Sequence, residues 1–483
     1  MRSNLNRNIY TKEQDEMQEN EFNENQGEIN SDIERFEQML ARNDLYYFDR
    51  EKFSDIIEHY AQQKDFQRAM LVLKYAKSQH PESKELLLSE VQILTGNYKF
   101  KKALRLLAQL EHELPWNAEV YMTKATVLSK LKLHEQSIIY LRKALQFSEH
   151  KDEVYIMMAF EYQFLENYDK AIDYFKKAMK ANPENEAALY ELSYCFDTLD
   201  RSEEGIEFYM DFIDRNPYSD ASWYNLGTLY SKINKLEEAI DAFDYVIAIN
   251  EYFTAAYFSK ANLLAHLERY EEAIVVYKET FDQETPSGVV YCHIAECYEK
   301  LSHFELALEH YNKGIALDPE YGDSWLGKAI CLDELNRDEE AFKCLQKAID
   351  IDRENADYWY AFAEIEDKLG RTEDAIASFQ KALALNSDEP EMFLEFADLL
   401  MKENNFSATI EAIHQGMMQH PEFHRFHYYL TAVYLEKGSF NKAYEHFEKG
   451  LIMDPKDCNF LFEIQPEASS NQNILELIDL YNN

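Results

Sequence analysis

Glycine and proline are scarce in this 483-residue chain, at 12 and 10 residues. So little turn-forming material excludes a loop-rich architecture and favours helices, and the 46% hydrophobic content is ample for a packed interior. Cysteine is sparse too. Its six copies, Cys195, Cys292, Cys297, Cys331, Cys344 and Cys458, follow no framework spacing, which excludes a disulfide-stapled secreted domain and fits a reducing compartment. Basic residues fall far short of acidic ones, 49 against 90, for a net charge of −41. A chain so poor in cations is no general nucleic-acid binder, because phosphate contacts need a basic surface. No run of about 18 apolar residues offers a membrane span, and the start, MRSNLNRNIYTKEQDE, has no apolar signal core, so the expectation is a cytoplasmic protein off the membrane.

What is present is a repeat. In DASWYNLGTLYSKINKLEEAIDAFDYVIA, from Asp220 to Ala248, the residues Trp223, Leu226, Gly227, Tyr230, Ala239 and Phe243 follow the order W-x2-L-G-x2-Y, then Ala, then Phe. This resembles the tetratricopeptide repeat signature, a 34-residue helix–turn–helix unit. Stepping by 34 gives starts at Arg50, Lys84, Ala118, Asp152, Glu186, Asp220, Thr254, Gly288, Gly322, Ala356, Pro390 and His424, with no insertion or deletion. The expected fold is therefore all-α. The resemblance implies an α-solenoid, a right-handed superhelix of twelve repeats over residues 50–457, each with a helix A and a helix B.

Residue size supports the phase. Position 20 is small in all twelve units, from Ala69 to Ala443, and position 8 in ten, with Ile57 and Val91 as exceptions. Position 4 is aromatic in nine, including Trp223, Trp325 and Trp359, and seven of the ten prolines stand at position 32. Large side chains set against small ones let helices approach closely, and proline can end helix B. Outside the repeats, residues 1–29 are polar and read as a disordered tail, either inert or a partner-binding arm. Residues 30–49 read as a capping helix, with Ser31 or Asp32 as its cap, and a linker. Residues 458–483 read as a C-terminal cap, interrupted at Pro466 and resuming over 473–481.

No catalytic or cofactor motif emerges: there is no H-E-x-x-H, P-loop, G-x-G-x-x-G or nucleophile elbow. His424 and His427 share a helix face, but His427 occupies the bulky position 4 and reads as packing rather than a metal ligand. Cys195, Cys297 and Cys331 share position 10 and likewise read as packing. Acidic pairs such as Glu203–Glu204 and Glu339–Glu340 fall in the first turn of helix B, where negative charge complements the helix dipole. The expectation is no enzyme, no cofactor, no metal and no small-molecule substrate.

The family resemblance also implies a binding wall, since its ligands touch positions 2, 5, 9, 12 and 13 of helix A on the concave face. Here those positions include Ile156, Phe160, Phe164, Tyr190, Tyr194, Tyr224, Phe258 and Asn262, an aromatic groove suited to a peptide. Further on they turn acidic, with Glu296, Glu299, Asp357, Glu364, Asp367 and Asp398, a wall that would attract a basic segment. Lysines at these positions, such as Lys232, Lys368 and Lys402, are too dispersed for a carboxylate clamp. The function read from the sequence is a protein–protein interaction scaffold that captures a peptide or helix of a partner. The alternative is a structural subunit packing laterally through its convex face or caps.

Overall fold

The computed structural model describes residues 29–42, 44–283, 285–385 and 389–482; within these the regular structure is helical and there is no strand. The chain divides into two compact units, one ending at Ala242 and one beginning at Phe243, inside the helix Leu236–Ile249. Both are runs of antiparallel helix pairs, so the chain is an α-solenoid. The helices A begin at Arg50, Glu85, Ala118, Lys151, Glu186, Asp220, Thr254, Gly288, Gly322, Ala356, Pro390 and Arg425, within one residue of the 34-residue count. Several start on a position-34 cap. The side chains of Asn117, Asn185, Ser219, Ser287 and Asn355 accept the N–H groups of Val120, Ala188, Ser222, Val290 and Tyr358 at 3.1–3.4 Å.

Every helix A ends in the same way. The residue at position 15 takes a left-handed conformation in all twelve units: φ is 54–60° at Lys64, Tyr98, Lys132, Glu166, Asp200, Asn234, Glu268, Ser302, Asn336 and Asn404, and 71° at Gly370 and Gly438. The next N–H then reaches back to the carbonyl of position 11, as in Asp65 to Tyr60, Leu133 to Leu128 and Arg337 to Leu332, all at 2.9 Å. Ten non-glycine residues hold a conformation that costs an L-residue about 1–2 kcal/mol. Replacing exposed Lys132 or Glu268 with glycine is expected to stabilise the fold by about 0.5–1 kcal/mol each, after the added freedom of the unfolded chain is subtracted. Urea denaturation checks this; a lower midpoint in either variant contradicts it.

Between the helices, position 20 is buried throughout, with Ala69, Ala171, Ala273, Ala307 and Ala443 all at 0% exposure. Ser137, at that position in the third repeat, donates its hydroxyl to the Ala125 carbonyl of the facing helix at 3.0 Å. The position-4 aromatics do more than fill space. The indole N–H groups of Trp223, Trp325 and Trp359 donate to the carbonyls of Pro217, Pro319 and Arg353 at 2.9–3.0 Å, and the Tyr121 hydroxyl donates to that of Pro115 at 2.9 Å. Each ties a helix A to the turn that precedes it.

In the first unit the capping helix spans 29–42, beginning two residues before Ser31. Asp32 is therefore inside the helix rather than its cap, and it pairs with Lys52 at 2.8 Å. Phe36 and Met39 join Phe48, Phe53 and Ile56 in one buried cluster, covering the open face of the first repeat. The expected tail lies outside the described residues except for residue 29, which is helical. In the second unit the short helix Asn459–Ile464 ends ahead of Pro466, and Gln472–Asn482 follows. Ile474 is fully buried there, with Leu477, Ile478 and Tyr481 packed beside it, which closes the last repeat.

All six cysteines are buried and unpaired. Burial pushes the Cys195 thiol up to about 11 and those of Cys297 and Cys331 up to about 12. Thiolate is the reactive form, so a disulfide reagent such as DTNB at neutral pH is expected to titrate none of the six in the native protein and all six in denaturant. Rapid labelling of even one in the native state would contradict this burial.

Candidate protein-interaction surface

Positions 5, 9 and 13 lie four residues apart and so form one stripe along a helix. On the helix A Lys151–Phe164 that stripe is Ile156, Phe160 and Phe164. Ile156 and Phe160 are half-buried against the first unit's core, and Phe160 sets its edge on Phe175 at 5.6 Å. Phe164 stands 63% exposed, stacked on His134 at 5.0 Å. On the next helix A, Glu186–Thr198, Tyr194 is 55% and Tyr190 37% exposed. Tyr194 meets Tyr168 edge-on at 6.3 Å, and Tyr190 meets Tyr224 of the following repeat at 6.4 Å. Burial, then the neighbouring Asp220 and Glu186, push the Tyr190 hydroxyl up to about 12, so it is a neutral donor at physiological pH. Polar groups adjoin the stripe: the Gln163 amide donates to Glu191 at 2.9 Å, and the Thr228 hydroxyl to the Tyr224 carbonyl at 3.0 Å.

Beneath Phe164 lies a pair that the repeat pattern does not call for. Glu161 is 5% exposed at position 10, which is apolar or cysteine in most units, and its carboxylate meets His134 Nδ1 at 2.7 Å. The signal for it was a carboxylate at an otherwise apolar position. His134 thus touches both a buried carboxyl group and the exposed ring above.

Phe258 and Asn262 belong to the second unit. Phe258 packs edge-on against Tyr277 at 5.8 Å and His293 at 5.3 Å, and the Tyr277 hydroxyl donates to the Asn262 side chain. Both are engaged with their own repeat and its neighbour.

The acidic positions of the second unit are largely partnered. Lys368 binds Asp333 and Lys402 binds Asp367, each at 2.6 Å, a position-13 lysine reaching the position-12 acid of the preceding repeat. Lys232 does the same with Asp197 in the first unit. Tyrosine hydroxyls donate to Glu299 from Tyr311 at 2.8 Å, to Asp398 from Tyr429 at 2.6 Å and to Asp323 from Tyr358 at 2.7 Å. His293 meets Glu296 at 2.8 Å and helps hold that carboxyl below its usual range against burial. Asp357 is exposed in the first turn of Ala356–Lys368.

Glu364 differs from these. Burial, then Glu395 and Asp333, raise its carboxyl to about 7 against the pull of Lys368. A folded value above the unfolded 4.5 means the folded state holds the proton more tightly, so this contribution is full below about pH 4.5 and fades as pH rises to 7. Glu364→Gln is expected to raise stability at pH 8 by about 1–2 kcal/mol, once partial exposure is discounted, and by less than half that at pH 5.5. Urea titrations at the two pH values test it; an equal effect at both would contradict the sign.

His424 and His427 do not come together as a pair. His424 binds Asp457 at 2.8 Å, while His427 Nδ1 meets His446 Nδ1 at 3.0 Å, where burial holds both rings below the usual histidine range. Among the described residues no group of three or more histidine, cysteine or carboxylate side chains is arranged to hold a metal ion, and no helix is long and apolar enough to cross a membrane. The acidic pairs of helix B carry a role beyond the dipole: Glu204, Glu272 and Glu340 bind Arg201, Arg269 and Arg337 three residues earlier, at the helix start.

A further hollow in the first unit lies apart from the candidate residues described above. It has a volume of about 1260 Å³ and is lined by the helices A of repeats 1 to 4, with Trp116 and Tyr98 among its lining residues. Trp116 is 75% and Tyr98 81% exposed, each at a turn between helices.

Known proteins with similar features are helical repeats. Residues 248–457 match the family described as the cilia and flagella-associated protein 70 C-terminal domain. Two tetratricopeptide repeat families match residues 118–150 with 152–185, and residues 208–241. Among solved structures the chain is similar to YrrB, a TPR protein with an unusual peptide-binding site, at 20% identity and a TM-score of 0.32, covering 39% of this chain and 96% of that one. It is similar to a tetratricopeptide repeat protein from Parabacteroides merdae ATCC 43184 at 17% identity and a TM-score of 0.40, covering 52% and 98%. The APC/C hetero-tetramer Cut9–Hcn1 gives 13% identity and a TM-score of 0.37 over 89% and 92%. No curated protein matches the chain in sequence.

Proposed function

Because the chain is a tetratricopeptide repeat protein, we propose that it is a non-enzymatic, cytoplasmic scaffold whose first unit captures a peptide or helix of a partner protein. The observation that carries this reading is the aromatic stripe of repeats four to six. Ile156 and Phe160 form a half-buried floor, while Phe164, Tyr190 and Tyr194 keep large exposed faces that the core does not use. Rigid aromatic rings give a partner contact area at low entropic cost, and the Tyr190 hydroxyl supplies a hydrogen-bond donor. Tyr224 extends the stripe into the sixth repeat. In the second unit, Phe258 and Asn262 are proposed as a secondary contact. The acids Glu296, Glu299, Asp357, Glu364, Asp367 and Asp398 are proposed to supply a negative field for a basic stretch of the partner. The likeness of the second unit to a domain of a cilia and flagella-associated protein makes ciliary and flagellar proteins the first candidates for that partner.

Phe160→Ala with Tyr194→Ala is expected to remove a partner identified by affinity purification while far-UV circular dichroism stays unchanged. Retention of that partner by the folded double variant would refute the stripe as the site.

A further inference from the structure

The helix Phe100–Glu113, helix B of repeat 2, starts with the wrong charge. In the helices B of repeats 3 to 10 the first turn carries at least one acid, which the helix dipole favours. Here the first turn holds Lys101 and Lys102 and no acid, with Lys99 just before it and Arg105 one turn beyond Lys101. The dipole repels a cation at that end of a helix, so these side chains weaken the helix they stand on.

Nor are they neutralised. The sequence has no acid between Glu90 and Glu111. Glu90 is taken by Lys77, and Glu111 by Lys124 at 2.5 Å and Lys143 at 3.0 Å. Asp65, at the corresponding turn of repeat 1, is held by Arg68, whose backbone N–H it accepts at 3.0 Å. Among the described residues no carboxylate pairs with Lys99, Lys101, Lys102 or Arg105, nor with Lys132 at the turn of repeat 3, and all five are exposed. Apolar groups stand beside them. Tyr98 projects from the turn before Lys99, its ring edge-on to Phe100 at 6.0 Å. In repeat 3, Leu133 and Ile139 occupy the positions of Lys99 and Arg105 and are exposed too.

Spacing and charge tell what fits. Lys101 and Arg105 are about 6 Å apart on one helix face, and the turn with Lys132 lies about 10 Å from that with Lys99, at the ends of neighbouring helices A. Cations strung out in this way do not converge on one small anion. They match carboxylates along a segment of about six extended residues, which spans about 20 Å. A nucleic acid or an anionic membrane fits worse. The chain carries −41, and so large a surface would also meet exposed Glu135 and Glu166 in the next two repeats.

We propose that Lys99, Lys101, Lys102, Arg105 and Lys132 form a docking surface for a short acidic segment of another protein, which sets an apolar side chain against Tyr98, Leu133 and Ile139. The surface lies on the A–B turns and helices B of repeats 2 and 3, whereas the aromatic stripe lies on the helices A of repeats 4 to 6. The two contacts differ in place and in the charge they select.

The probe is a fluorescent peptide of six glutamates followed by two leucines, titrated by anisotropy into the full chain at about 150 mM salt, where long-range attraction is screened. Lys101→Gln with Arg105→Gln is expected to weaken binding by about tenfold or more, with no fall in the urea midpoint. Lys177→Gln with Lys180→Gln, the same charge change at exposed positions of the helix B Tyr168–Ala181, is expected to weaken it less than twofold. Phe160→Ala with Tyr194→Ala should bind the probe like the native chain, which separates this surface from the stripe. Equal weakening by both glutamine pairs, or no binding to the native chain, overturns the proposal. A urea midpoint lowered by Lys101→Gln with Arg105→Gln also overturns it, because the cations would then serve the fold. So does tighter binding of a single-stranded oligonucleotide or a phosphatidylserine vesicle than of the peptide. Tighter peptide binding to a Glu13→Gln, Asp15→Asn, Glu16→Gln, Glu19→Gln variant would make the chain's own first residues the occupant, and a probe that splits a dimer in sedimentation would make it a second copy; either result overturns the proposal.

Discussion

Gly327→Ala is expected to destabilise the second unit by about 3 kcal/mol, although alanine is the better helix former by about 1 kcal/mol. Gly327 sits within the helix A Gly322–Glu334, and a Cβ there would fall on the ring and hydroxyl of Tyr311. Tyr311 cannot yield easily. It is 1% exposed, and its hydroxyl donates to Glu299 at 2.8 Å. Overpacking a filled site costs about 1–3 kcal/mol, and displacing the hydroxyl from a carboxylate it satisfies costs about another 1–3. Those terms outweigh the helix propensity, so the sign is destabilising. The melting temperature should fall by roughly 5–12 °C. Tyr311→Leu is also destabilising alone but removes the obstruction, so the double variant should lose clearly less than the sum of the two. Strict additivity, or a stabilised Gly327→Ala, would show that the helices are farther apart than described.

Phe175→Ala is the second large effect, at about 3–5 kcal/mol. Its ring is fully buried in the first unit's core and supports Phe160 edge-on at 5.6 Å. A solenoid is stabilised unit by unit and neighbour by neighbour, so the loss should be local. Hydrogen exchange is expected to show protection falling in Lys151–Ala181 and its neighbouring repeats while the second unit keeps its own. Partner binding should weaken with it, since Phe160 loses its support. Uniform loss of protection along the chain would contradict a neighbour-limited response.

The phase of side-chain size made the fold class legible. Small residues at positions 8 and 20, with aromatics at position 4, specify close-packed helix pairs wherever they recur. The left-handed residue at position 15 was only half legible: Gly370, Gly438, Asn234, Asn336, Asn404 and Asp200 are types that tolerate positive φ, whereas Lys64, Tyr98, Lys132, Glu166, Glu268 and Ser302 give no hint of it. The indole bonds were hidden for another reason: Trp223 reads as bulk until its N–H is seen to meet the Pro217 carbonyl six residues earlier. At the candidate surface, exposed Phe164 and Tyr194 followed from position alone. The partners of the acids did not, since Tyr429 reaches Asp398, and Lys402 reaches Asp367, across a full repeat. Helical spacing describes one helix; it is silent on which long side chain leans toward which neighbour.

The tryptophans carry a practical consequence. Three of the four, Trp223, Trp325 and Trp359, are pinned at the junction between one repeat and the next by a backbone hydrogen bond, whereas Trp116 projects into solvent. Collisional quenching of the intrinsic emission by iodide or acrylamide should thus resolve one strongly accessible fluorophore from three half-buried ones. The less accessible signal reports on the seams of the array rather than on its interior, with Trp223 as the built-in optical gauge for the first unit and Trp325 and Trp359 for the second.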